Sequence, residues 1–145
     1  MKKTMKRTAA LLAVALLALC LAACAGEEAA FEVTVTVECQ DAVEYGYEAA
    51  LAVSEDGLLA EGTVGLAEGG TALDALRGTT LVVATEDSAY GEYVVSVASL
   101  AQGDCGGASG WTFTVNGEYP ETSAGETVLQ EGDEVVWAYY CEPQA

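Results

Sequence analysis

The 145-residue chain contains no histidine, so any chemistry must come from carboxylates, thiols, hydroxyls and aromatic rings. That absence removes Ser-His-Asp and Cys-His catalysis, His-ligated zinc and the usual general base near neutral pH. The 23 Asp and Glu residues raise calcium binding and paired-acid catalysis on glycans. No run follows the alternating Asp/Asn-x-Asp-x-Gly pattern of a calcium loop, and among so many acids some pair lies close by chance. The acids therefore read as a solvated face, with neither a catalytic residue nor a metal ligand among them. Cys105, within Asp104-Cys105-Gly106-Gly107, has no Cys-x-x-Cys partner and no nearby cation to lower its pKa, so it does not read as a reactive nucleophile. A non-enzymatic protein is expected.

Aromatic rings are the remaining candidates. Trp111 follows the glycine-rich stretch Gln102 to Gly110 and offers a flat apolar face with one N–H donor; its alternative role is core packing in line with Phe113 and Val115. Tyr90, Tyr93, Tyr119, Tyr139, Tyr140 and Trp137 complete a set of the kind enriched at recognition surfaces. Tyr119, followed by Pro120, is the one expected to stay exposed.

Charge and address constrain the setting. Four of the five basic residues, Lys2, Lys3, Lys6 and Arg7, open the chain, leaving Arg77 alone against all the acids. Such a surface repels phosphate backbones, which excludes nucleic-acid binding through a basic patch. The basic start, the apolar stretch Ala9 to Ala23 and the small residues before Cys24 make an export signal. The apolar stretch is shorter than the roughly 18 to 20 residues a membrane-spanning helix needs. The tetrad Leu21-Ala22-Ala23-Cys24 resembles the bacterial lipoprotein signal, which implies diacylglycerol on Cys24. The rival is an ordinary secretory signal cleaved after Ala23 or Ala25. Residues 1–23 are thus expected to be the signal peptide and 24–30 the lipidated Cys with a tether spanning roughly 20 Å at most. The expected location is the bacterial cell envelope, facing the extracytoplasmic side, with the membrane as a partner through the lipid.

The elements that must hold these residues are mostly strands. Phe31, Val33, Val35 and Val37 alternate with Glu32, Thr34, Thr36 and Glu38, the period of a half-buried strand. Gln40 to Glu55 follows neither period and is read as mostly irregular. A short strand is expected at Glu61 to Leu66, then a turn at Glu68-Gly69-Gly70. Thr71 with Asp74 three residues on predicts an N-cap and a helix of about two turns ending at Gly78. Leu81 to Thr85 and Tyr93 to Val97 read as strands joined by a connection at Glu86 to Gly91. Trp111, Phe113 and Val115 alternate with Thr112 and Thr114 up to Asn116-Gly117, the residues of a type I′ turn. Val135, Trp137 and Tyr139, with Val136, Ala138 and Tyr140 between, make a strand apolar on both faces, hence interior. The whole predicts one α+β domain over residues 31–141, strand-dominated with one short helix packed on a sheet, and a tail at 142–145.

Three ordered stretches resemble the transcobalamin-like C-terminal domain family of bacterial surface proteins: Glu68 to Leu76, Ser109 to Glu118 and Glu131 to Tyr139. Tyr90 to Val94 and Ser123-Ala124-Gly125 fit between them, and the similarity spans roughly Phe31 to Cys141. It implies a small β-rich fold with one helix on a sheet, related to the domain that closes over the corrin ring in animal cobalamin carriers. The large helical barrel that supplies most corrin contacts in those carriers has no counterpart here. By resemblance, cobalamin or another corrinoid is the implied ligand, with Trp111, Tyr90, Ser109, Gly110, Asn116 and Tyr119 as implied contacts. The alternative is a structural or adhesive module binding an envelope protein or glycan. Parallel first and last strands, also implied by the resemblance, would bring Cys39 and Cys141 together as a disulfide. Cys105, flanked by glycines, could instead pair with either.

Overall fold

The computed structural model describes residues 28–145, so the expected leader and Cys24 lie outside the described residues. Strand β1 (Phe31–Glu38) buries Val33, Val35 and Val37 and turns its Glu and Thr residues outward, as the alternation requires. It pairs antiparallel with β2 (Leu58–Leu66), from Phe31↔Leu66 to Glu38↔Leu58. On its other edge it pairs parallel with β7 (Glu134–Tyr140), from Thr34↔Glu134 to Glu38↔Ala138. Strand β6 (Gly110–Val115) runs antiparallel to β7 and completes a sheet in the order β2-β1-β7-β6. The last strand is therefore interior, which is why both its faces are apolar. A smaller sheet holds β3 (Val83–Ser88), β4 (Gly91–Val97) and β5 (Leu100–Ala101) in that order.

Two helices, α1 (Gln40–Glu44) and α2 (Glu48–Leu51), follow β1, and α3 (Ala72–Arg77) follows β2. In α3 the Thr71 hydroxyl accepts from the Asp74 N–H while the Asp74 carboxylate accepts from the Thr71 N–H at 2.9 Å, a reciprocal cap. Its Ala72, Leu73, Ala75 and Leu76 are buried against the inner face of the four-stranded sheet, in the main core with Val33, Val35, Val64, Val135 and Trp137. Gly78 caps it so closely that a Cβ there would lie 2.3 Å from Val64 Cγ1. Arg77 reaches from its last turn to Glu92 on β4, tying the helix to the smaller sheet. Among the described residues no helix is long and apolar enough to cross a membrane.

The structure departs from the expectations in three places. Among the described residues three short helices stand where one was expected, because α1 and α2 have no side-chain caps and hold their place by burying Ala42 and Ala50 in a second core. Most of the expected connection at Glu86 to Gly91 is strand: Gly91, at φ +102°, lets the chain reverse within Ser88 to Gly91, and the Ser88 hydroxyl donates to the Gly91 carbonyl at 2.8 Å.

The third departure concerns the cysteines. Cys39, Cys105 and Cys141 are buried free thiols, so the expected Cys39–Cys141 bridge is not formed. The first and last strands are parallel neighbours, but the register pairs Glu38 with Ala138. The ladder stops there: Cys39 leaves it to cap α1, while Cys141 lies three residues past Ala138, so the two no longer share a strand pairing that would face one sulfur to the other.

Candidate functional site

Pairing of β6 with β7 sets Trp111 opposite Tyr139 and Phe113 opposite Trp137, all on the sheet's inner face. Trp111 meets Tyr139 edge-on, with centroids 5.3 Å apart at 74°, while Phe113 stacks on Trp137 at 4.8 Å and 24°. Each polar handle is already engaged. Trp111 Nε1 donates to the Leu100 carbonyl at 2.9 Å, and Trp137 Nε1 to that of Ala72 at 3.3 Å. The indoles thus have fixed orientations and only ring faces and edges left to offer.

Between β4 and β6 these rings border an apolar cavity of about 150 Å³ lined by Tyr93, Val94, Trp111, Phe113, Ala124 and Trp137. Tyr93 stands at its rim, 37 % exposed, its hydroxyl donating to the Glu86 carboxylate at 3.0 Å. That hydrogen bond, with desolvation, pushes the Tyr93 phenol above its ordinary pKa, so it stays neutral. The cavity falls short of the roughly 300–1,000 Å³ that encloses a drug-sized molecule. It fits one ring or one edge of a flat molecule.

A second cavity, about 130 Å³, lies at the other end of the β6–β7 pair, bordered by Tyr47, Cys105, Ser109 and the tail Glu142 to Ala145. Here Ser109 Oγ accepts from the Cys105 N–H at 3.1 Å, donates to the Gly106 carbonyl at 2.6 Å, and lies 3.0 Å from the Tyr139 hydroxyl. Tyr139 donates in turn to the Ala101 carbonyl at 2.6 Å. A shallow depression of about 320 Å³ on the outer face of the large sheet, at Thr34, Thr36, Glu61 and Thr63, opens over the bare Gly62. No buried polar group faces into it, because its hydroxyls and carboxylates stand on the solvent side of the sheet.

Of the residues singled out from sequence, Trp111 lines the aromatic cavity. Ser109 is buried in the Cys105 network, and Gly110 opens β6 opposite Tyr140. Tyr90 (86 % exposed) projects from the β3–β4 turn and Tyr119 (75 % exposed) follows the β6 turn; neither lines the cavity. Asn116, at φ +52°, sits in the turn, where its side-chain amide donates to the Asp133 carboxylate and its side-chain oxygen accepts from the Glu134 N–H, both at 2.9 Å. It positions the start of β7. Ala124, a cavity wall, stood in the sequence only as part of the Ser123-Ala124-Gly125 stretch, with no chemistry of its own to mark it as one. Among the described residues no group of three His, Cys, Asp or Glu side chains is placed to hold a metal ion.

This two-sheet arrangement, strand-dominated with short helices, resembles the transcobalamin C-terminal fold. Haptocorrin in complex with Cbi aligns with a TM-score of 0.54 at 18% identity over 77% of this chain, which spans 25% of that protein. A Ruminococcus gnavus protein described as a "putative metal binding protein" aligns with a TM-score of 0.53 at 21% identity, over 77% of this chain and 98% of that one. Identities this low establish the fold alone. In sequence, residues 69–140 match the family described as a domain of unknown function, DUF4430. No curated protein matches the chain.

Proposed function

We propose that this protein is a non-enzymatic binding module of the bacterial envelope, anchored through lipid on Cys24, which grips one edge of a flat conjugated molecule of the corrinoid class. The observation that carries the reading is the aromatic cavity between β4 and β6, where Trp111, Phe113 and Trp137 present rings already fixed by stacking and backbone hydrogen bonds. Fixed rings lose little freedom on binding, and apolar contact with them is not specific to one ligand side group. The likeness to haptocorrin, described in complex with Cbi, supports the corrinoid class.

A cavity gripping one edge gives a dissociation constant of micromolar or weaker, about −8 kcal/mol at best. Titrating the chain with cobinamide and cobalamin, by calorimetry and tryptophan fluorescence, should give saturable heat and quenching that Tyr93→Ala weakens several-fold. No heat at millimolar ligand overturns the ligand class. For the anchor, Cys24→Ser should release the protein from the membrane fraction; retention of an unprocessed chain overturns it.

A further inference from the structure

Cys39, Cys105 and Cys141 come from three separate stretches of chain and pack in one buried cluster with Ala42, Ala50, Leu100 and Tyr139. The aromatic cavity makes no use of them. Thiol–disulfide exchange is the chemistry three neighbouring thiols retain, and the three are not equivalent. Cys39 caps α1 and Cys141 directly follows β7, so both sit on backbone fixed by the large sheet. Cys105 lies in the loop between β5 and β6, with Gly103 at φ +85°, Gly106 at φ +102° and Gly107 around it. Such a loop changes conformation at low cost.

Access also favours Cys105. Of the three, it alone borders the cavity under the tail. The tail is held there by the Tyr47 hydroxyl donating to the Glu142 carbonyl at 2.8 Å and the Gln144 amide donating to the Tyr45 carbonyl at 3.0 Å. Two exposed hydrogen bonds break readily, and lifting Glu142 to Ala145 opens a path to Cys105 first. All three thiols lie within one buried cluster, so Cys105 has both of the others as neighbours. Cys39 and Cys141 both stand on sheet-fixed backbone, so neither moves toward the other, whereas the glycine-flanked loop can carry Cys105.

We propose that Cys105 is the exchanging thiol of this cluster and forms a reversible disulfide with Cys39, fastening the β5–β6 loop to the junction of β1 and α1. The oxidant is a small-molecule disulfide. Burial keeps Cys105 protonated while the tail is down; once the tail lifts and water reaches it, its thiolate attacks one of the sulfurs, giving a mixed disulfide and releasing one thiol. The Cys39 thiolate then displaces the second thiol from Cys105, so two protein thiols are oxidised, one disulfide is reduced, and both protons end on the released thiols. The structure holds the reduced form.

Glutathione disulfide is the probe. The chain is equilibrated across a range of reduced-to-oxidised glutathione ratios, quenched in acid, alkylated in denaturant and digested with a glutamate-specific protease without reduction. Cleavage after Glu38, Glu44, Glu92, Glu118 and Glu134 places the three cysteines on separate peptides, each distinct from those carrying Cys20 and Cys24. The expected major product joins the peptide beginning at Cys39 to the one containing Cys105, with Cys141 alkylated. Cys141→Ser should retain that cross-link at an unchanged glutathione ratio. A dominant Cys39–Cys141 or Cys105–Cys141 product, three alkylated cysteines at the most oxidising ratio, or loss of the cross-link in Cys141→Ser overturns the proposal.

Discussion

Raising the pH should unfold this protein through its buried thiols. Cys39 is 0 % exposed, and burial, with the charges of Cys105 and Glu38 adding to it, raises its pKa from 9.0 to about 11. The folded state therefore keeps a proton that the unfolded chain releases above pH 9. This contribution to stability is complete below pH 9 and is lost as the pH rises through 11. At 1.36 kcal/mol per unit, Cys39 alone removes about 2 to 3 kcal/mol over that window. Cys105, Cys141 and Tyr139 are shifted upward by burial too and act in the same direction. The assay is urea unfolding under a non-thiol reductant at half-unit steps from pH 8 to 11.5, for the parent and Cys39→Ala. The variant should be less stable at pH 8, having lost the buried sulfur, yet fall less steeply between pH 9 and 11. Tyrosine ionisation and general charge repulsion are common to both chains and cancel in the comparison. Equal slopes would refute the reasoning.

Three further outcomes are open to direct measurement. Ala98 and Ser99 turn β4 into β5 with φ of +50° and +73°, a conformation that costs a non-glycine residue about 1–2 kcal/mol; exposed Ser99→Gly should therefore raise the urea midpoint by about 1 kcal/mol equivalent. Gly78→Ala should cost about 1–3 kcal/mol by driving a methyl into Val64, and Val64→Ala added to it should cost less than it does alone, a coupling that a double-mutant cycle reads directly. Because Arg77 is the one Lys or Arg among the described residues, added NaCl should raise the thermal midpoint by screening like charges, the Debye length falling from about 30 Å at 0.01 M to about 8 Å at 0.15 M.

The legible parts of the fold are those where a local rule and the tertiary structure agree. The alternation of Phe31 to Glu38, the Thr71–Asp74 cap and the two-faced apolar strand at Val135 each state their environment. The Asn116-Gly117 turn does the same, with both residues at positive φ and hydrogen bonds of 2.9 and 3.1 Å between Val115 and Glu118. Helices α1 and α2 were hidden because each buries little more than one alanine, a pattern no periodicity reveals. Strand β3 starts two residues after the expected Leu81 and runs three past the expected Thr85, because Glu86, Asp87 and Ser88 are solvated edge residues, chemically like a loop. At the site, Trp111 was found as an aromatic beside a glycine-rich loop, whereas its neighbours in the cavity depend on which strands lie side by side. The cysteines carry the same lesson: the alternation of β1 runs on to Cys39 in the sequence, but the ladder stops at Glu38 and Cys39 turns away to cap α1.

The parallel pairing of β1 with β7 also governs the order in which the molecule can be assembled. Residues made about a hundred positions apart, such as Thr34 and Glu134, must find each other before the sheet has a middle. Until the last segment is synthesised, β1 can pair only with β2, and its valine-rich second edge stays open, as does β6. A chain cut before Glu134 is thus two fragments with bare edges rather than a smaller domain. Folding is thus ordered by that one strand, whose docking closes both halves of the sheet at once.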